Sequence, residues 1–228
     1  MKKVNTIITL MCTCILLFSC RNNVSGGPNS ENLAEIKIGT QTWATKNLDV
    51  SVFRNGDTIP EAKTNEEWIK AGEEGKPAWC YYNNDPENGK KYGKLYNWYT
   101  VNDPRGLAPK GWHVPIDSEW TTLINYLGGD SVAGIKMKST SGWNDYNGAT
   151  GNGTNTSGFA GSPGGYLSGG YLDPNGRFNS IGIAGVWWSS SEGTPDYAWS
   201  RALYYDNGPA SRGLDSKFHG YSVRVLRD

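Results

Sequence analysis

Beyond residue 20 the 228-residue sequence holds one cysteine, Cys80, and its whole length holds two histidines, His113 and His219. A lone thiol offers no disulfide within the folded part of the chain, so stability must come from packing. The two histidines lie far apart, and neither has a second ligand at zinc spacing. No apolar run reaches the roughly 20 residues of a membrane-spanning helix. Charge of one sign is also missing: 22 Lys and Arg stand against 22 Asp and Glu, without the clustered basic surface that nucleic acid requires. No phosphate loop, nucleophile elbow or metalloprotease helix occurs. Paired carboxylates for glycoside cleavage stay open, because any two of the acids could meet.

The longest apolar stretch, Ile7 to Phe18, follows Lys2 and Lys3 and suits the central region of a secretory signal. Leu17-Phe18-Ser19-Cys20 resembles a bacterial lipobox, in which cleavage falls before the cysteine and its sulfur takes a diacylglycerol. Residues 1–19 are therefore read as a lipoprotein signal peptide, Cys20 as the lipid attachment site, and 20–33, polar with Gly26-Gly27-Pro28, as a flexible tether. Two or more acyl chains, at about 0.8 kcal/mol per buried methylene, would hold the protein on a membrane. The expected location is the cell envelope, at the outer membrane. Lys2 and Lys3 leave with the signal, so 20 basic side chains then face 22 acidic ones, a net of about −2.

Residues 34–228 are long enough for one sizeable domain. Thirty glycines, ten Trp and thirteen Tyr point to many turns around large rings rather than to a helical bundle. "AEIKIGTQTWATKNL" predicts a strand pair turning at Gly39-Thr40. Thr64 and Glu67 at capping-box spacing predict a helix over 64–75, and "PAWCYYNND" predicts a buried strand ending in a turn at Asn84-Asp85-Pro86. In "GWHVPIDSEWTTLINYLGG" an apolar stripe of Trp120, Leu123, Ile124 and Leu127 predicts a helix capped by Asp117 or Ser118 and stopped at Gly128-Gly129. Residues 139–185 read as a long irregular region; 185–192, 197–206 and 220–228 read as strands.

"GLAPKGWHVPIDSEWTTL", "GFAGSPGGYLSGGYLDPNGRFNSIGIAGVWWSSSE" and the terminal "GYSVRVLRD" resemble the Fibrobacter succinogenes major paralogous domain. "IGTQTWATKNLDV" and "YGKLYNWYTV" extend the likeness over residues 34–228. The family is similar in fold to C-type lectin-like domains and to the formylglycine-generating group. The resemblance implies an α+β, C-type lectin-like fold: two helices, a small twisted antiparallel sheet and a long loop region. The oxidase chemistry of the formylglycine-generating group needs late cysteines, and none is present; Cys80, between Trp79 and Tyr81, reads as a buried small residue.

Arg201 and Arg224 interrupt apolar strands and read as buried arginines serving loop carbonyls and a carboxylate. Of Trp187 and Trp188, on opposite faces of a strand, one is expected in the core and the other half exposed. The candidate ligand surface joins the long loops to strands 186–191 and 197–206. There Trp188, Trp199 and Tyr205 would stack on a ligand, and Asp206, Asn207 and Asp215 would supply polar contacts. No cofactor is required, though calcium on the loop oxygens of Asp206, Asn207 and Asp215 stays open beside a plain turn. The leading expectation is a non-catalytic binder of a glycan or an envelope protein. An assembly component of a surface appendage comes second and a glycan hydrolase third. For the anchor, Cys20→Ser should accumulate uncleaved precursor, and wild-type protein should partition into detergent. An unmodified thiol at Cys20 in membrane-purified protein would overturn this assignment.

Overall fold

The two ends of the folded chain meet in one sheet. In a computed structural model describing residues 33–228 except 171, 172, 174 and 207, strands β1 (Glu35–Ile38) and β2 (Gln41–Ala44) form a hairpin. Gly39 takes φ +62° at its turn, as expected from Gly39-Thr40. Strand β11 (Leu226–Arg227) pairs on one side with β2 and on the other with β5 (Trp112–His113), giving the order β1-β2-β11-β5. The signal segment, Cys20, the tether up to residue 32 and Asn207 lie outside the described residues.

Helix α1 (Asn65–Glu73) starts as its capping residues dictate: Thr64 Oγ1 accepts from Glu67 N at 3.2 Å, and the Glu67 carboxylate accepts from Lys63 N at 2.7 Å. After β3 (Trp79–Cys80) the expected turn forms, with Asp85 N donating to Tyr82 O at 3.2 Å. Asp85 has a second role that the turn does not require: its carboxylate accepts from Glu87 N at 2.9 Å and caps α2 (Pro86–Tyr92), with Pro86 in the first turn, where its missing N–H costs nothing. Strand β4 (Leu95–Tyr96) and the single turn α3 (Trp98–Val101) follow.

Helix α4 (Asp117–Tyr126) buries Trp120, Leu123 and Ile124, with Leu127 just beyond, as the stripe predicted. Its cap is different. Glu119 reaches back to accept from Ile116 N at 2.9 Å, steadied by His113 Nε2 at 3.0 Å. Asp117 is thereby free to receive Arg201 Nη1 at 2.7 Å and Arg212 Nη2 at 2.8 Å. Burial alone would raise its carboxyl, but the two guanidiniums outweigh that and hold it below the usual range. Helix α5 (Asp130–Met137) follows after two glycines with positive φ.

The expected irregular region is partly strand. From β6 (Gly164–Ser168) and β7 (Arg177–Ile181) the chain enters β8 (Ala184–Glu192), β9 (Tyr197–Tyr204) and β10 (Ala210–Ser216), in sheet order β10-β9-β8-β6-β7. The segment 220–225 touches β8 and β4 through isolated bridges, so "GYSVRVLRD" is strand only at its end. With α1, α2, α4 and α5 and three sheets among the described residues, the architecture is mixed α and β, richer in helix than the two helices the resemblance implied.

Strand β8 is buried on both faces. Trp187 joins Trp43, Trp120 and Phe159 in the cluster beneath α4 and α5, while Trp188 packs with Tyr96, Tyr221 and Val223 on the other side. Both are fully buried, which corrects the expectation of one half-exposed ring: a central strand covered on both faces has no solvent side.

One side chain ties the sheets together. Asn47 Oδ1 accepts from Trp187 Nε1 at 2.8 Å and from Arg224 Nε and Nη2 at 3.2 and 2.9 Å. Its Nδ2 donates to Tyr92 O and Ser222 Oγ. Arg224 Nη1 donates to Ala44 O and Phe159 O. Asn47→Ala leaves three buried donors without their acceptor. At about 1–3 kcal/mol for each unsatisfied group, and more for charged ones, the loss should reach at least about 3 kcal/mol in denaturant unfolding. A change under about 1 kcal/mol would show that water replaces the amide.

Candidate functional site

The segment Asp215 to Tyr221, "DSKFHGY", folds a tight turn against β6. Leu167 and Gly220 exchange both backbone hydrogen bonds, at 3.0 and 2.8 Å, and His219 N donates to Ser216 O at 2.9 Å. Buried Lys217 anchors the turn from behind through Glu192 and, at 2.6 Å, Pro195 O. This pins the His219 ring beside β6, where Gly169 N donates to its Nδ1 at 3.0 Å. A backbone amide can only donate, so Nδ1 accepts and the proton of the neutral ring sits on Nε2. Burial lowers the pKa of the imidazole, although Asp215 and Asp173 pull in the opposite direction.

Around the histidine the aromatic rings interlock. Tyr221 stands 5.5 Å from His219, 5.7 Å from Tyr166 and 4.4 Å from Trp188, centroid to centroid. Burial raises the Tyr221 phenol well above its ordinary value, and the neighbouring Asp215 carboxylate adds to the rise, so the hydroxyl stays protonated. Asp215 Oδ2 also accepts from Ser200 Oγ at 2.5 Å. A cavity of about 350 Å³ opens here, lined among others by Gly169, Tyr197, Asp215, Ser216, Phe218 and His219.

The structure brings one of the expected site residues, Asp215, into this cavity. Trp188 lies beneath it, fully buried, with its Nε1 donating to Tyr96 O at 2.8 Å, so it cannot stack on a ligand. Trp199 is half-buried and covered by the Arg212 guanidinium 3.4 Å from its centroid. Tyr205 packs edge-on against Tyr146 at 5.3 Å, and exposed Asp206 follows it. Asp215 pairs with Ala198, whereas Asp206 lies beyond Tyr204 at the other end of the β9–β10 hairpin. At 3.3 Å per residue the six residues between those levels span roughly 20 Å, so the two acids cannot share an ion. No group of three or more His, Cys, Asp or Glu gathers among the described residues.

His219 and Phe218 are the residues that sequence reasoning missed. His219 lies in the turn that follows β10. The available signal is its setting: a lone histidine between Phe218 and Gly220-Tyr221, on the link from β10 to the terminal segment. Chemically the cavity can hydrogen-bond and stack. Ser168 and Ser200 donate to Asp173 and Asp215, and neither hydroxyl meets the imidazole. Cys80, the thiol in the described residues, is buried away from the cavity, and burial pushes its pKa far up, which leaves it inert.

A family model described as Fibrobacter succinogenes major domain matches residues 36–227. No curated protein and no solved structure matches the chain.

The depressed His219 pKa carries a stability consequence with a fixed sign. The native ring resists protonation while the unfolded chain titrates near its ordinary value of about 6.5. Stability is therefore full above that pH and is lost as pH falls below it. His219→Gln keeps an acceptor for Gly169 N and a donor toward the cavity but does not titrate. In urea melts it should be less stable than wild type at neutral pH, and the gap should narrow between about pH 6.5 and 5. Equal pH slopes for the two proteins would overturn the assignment.

Proposed function

The chain belongs to the Fibrobacter succinogenes major domain family, and from that footing we propose that it is a lipid-anchored envelope protein binding a glycan without catalysis. The anchor is Cys20, and the binding unit is a C-type lectin-like domain whose ligand sits in the His219 cavity. The observation that carries this reading is the convergence of opposite hydrogen-bonding roles on one partly apolar pocket. His219 Nε2 donates, Asp215 accepts, and the exposed Tyr197 ring and Phe218 offer faces to a sugar. Its volume lies within the range of small-ligand sites, and few polar groups in a mostly fixed wall are what such sites use. Catalysis fits poorly, because His219 has spent the nitrogen that a general base would need.

A second reading, assembly into a surface structure, draws on β10. It is an edge strand with exposed Leu214, open to another chain's backbone. A glycan-array screen of the full chain, with and without calcium, separates the two. Specific glycan binding that falls about tenfold or more in Asp215→Asn and His219→Ala, with circular dichroism unchanged, supports the glycan reading. Failure to bind any glycan while the chain self-associates through β10 would replace it with the second.

A further inference from the structure

A separate cavity of about 510 Å³ opens where the segment after β2 meets the end of α2 and the loop at 160–162. It shares no lining residue with the His219 cavity. Lys46, Lys90 and Lys91 stand exposed on its walls, and Arg224 lies in its floor. Among the lining residues Asp49 is the one acid, and its Oδ1 already receives Lys94 Nζ at 2.6 Å.

Arg224 is the unusual member. It is 1% exposed, and no carboxylate among the described residues pairs with it. A guanidinium carries five N–H groups. Four are used, by Asn47 Oδ1 twice, Ala44 O and Phe159 O, leaving one Nη2 N–H without a partner among the described residues. Burial pushes this guanidinium down to about 9, with no neighbouring acid opposing the shift. Burying a charge without a counter-charge is costly, and a protein that keeps one usually gives it a partner. Lys90 and Lys91 in the last turn of α2 also answer that helix's dipole. That role explains neither Lys46 nor Arg224.

We propose that this groove binds an oxyanion, a carboxylate or phosphate group carried by a larger ligand. Arg224 Nη2 receives it at the floor, and Lys46 and Lys91 close over it. A guanidinium held by neutral carbonyls and an amide keeps its whole positive charge for the incoming group. Lys46 and Lys91, exposed at the rim, the latter with its Nζ 4.8 Å from the Tyr92 centroid, gather the anion and release counterions as it enters.

The test uses the full chain at constant ionic strength, with inorganic phosphate and glucuronate as probes and glucose as the neutral control. Binding is read by calorimetry and by the rise in melting temperature. Saturable binding of one or both anions, absent for glucose, is the expected result. Phosphate alone would point to a phosphorylated ligand, glucuronate alone to a sugar acid, and both to recognition by charge. Lys46→Gln/Lys91→Gln changes only exposed residues and should weaken binding by at least about tenfold, the loss of one charge-assisted contact. Lys76→Gln/Lys110→Gln, elsewhere on the surface, should leave binding unchanged, as should His219→Gln. Absence of saturable anion binding, glucose binding that Lys46→Gln/Lys91→Gln weakens as much as anion binding, or an equal loss in both double variants would overturn the proposal. Glucose binding that His219→Ala alone removes belongs to the His219 cavity, and the anion dependence of the groove is then read from the two lysine double variants.

Discussion

Much of the structure depends on one amide oxygen. Asn47 Oδ1 takes hydrogen bonds from Trp187 and twice from Arg224, joining three segments that lie up to 177 residues apart. The early segment supplies the acceptor, the β8 tryptophan one donor, and the terminal arginine the others. A buried polar network is stabilising only when nearly every member is satisfied, which makes it selective for one arrangement of the chain. With Asn47 placed, Trp187 must face the α4–α5 side. Trp188, the next residue, must then face the other way.

That alternation determines where a ligand can sit. The five-stranded sheet is covered by α4 and α5 on one face and by the terminal segment 221–225 with its neighbours on the other. Among the described residues, the His219 cavity and the Arg224 groove lie at the margins of this sheet, where turns and loops pass. The His219 turn lies at the far end of the β9–β10 hairpin, and the Arg224 groove lies beside the hub itself. The groove owes its floor to Arg224, which also holds the hub together.

Legibility in the sequence followed the range of the interactions. The α4 stripe, the Gly39 turn and the Thr64 cap are set by residues within a few positions of each other, and all could be read. Asp85-Pro86 was equally local but ambiguous, since an acid before proline suits a turn and a helix start alike. The expected exposure of Trp188 fails because exposure is a property of the whole fold. An aromatic pair on a strand looks the same whether one face or both are covered. His219 was hidden for a related reason: its Nδ1 partner is a backbone amide 50 residues away, which no side-chain pattern announces.

The same physics explains how a glycine-rich chain with one buried thiol among its described residues keeps its loops in place. Repeatedly, a buried cation lies over an aromatic ring and donates to loop carbonyls. Lys94 sits 4.3 Å from the Trp79 centroid and binds Asp49 O; Lys217 sits 4.6 Å from Trp98 and binds Pro195 O. Lys138, 5.3 Å from Trp143, binds Gly151 O and Tyr204 O, and Arg224, 4.3 Å from Phe159, binds Ala44 O and Phe159 O. The ring's negative face offsets part of the cost of burying the charge, and the carbonyls gain donors that irregular backbone cannot otherwise provide. Lys94 and Lys217 also have acids, Asp49 and Glu192, to complete their neutralisation, and the Asp206 carboxylate acts on Lys138 through its charge. Arg224 has the ring and the carbonyls but no acid, which sets its groove apart from the other anchors and makes it the place where an anion from outside would complete the pattern.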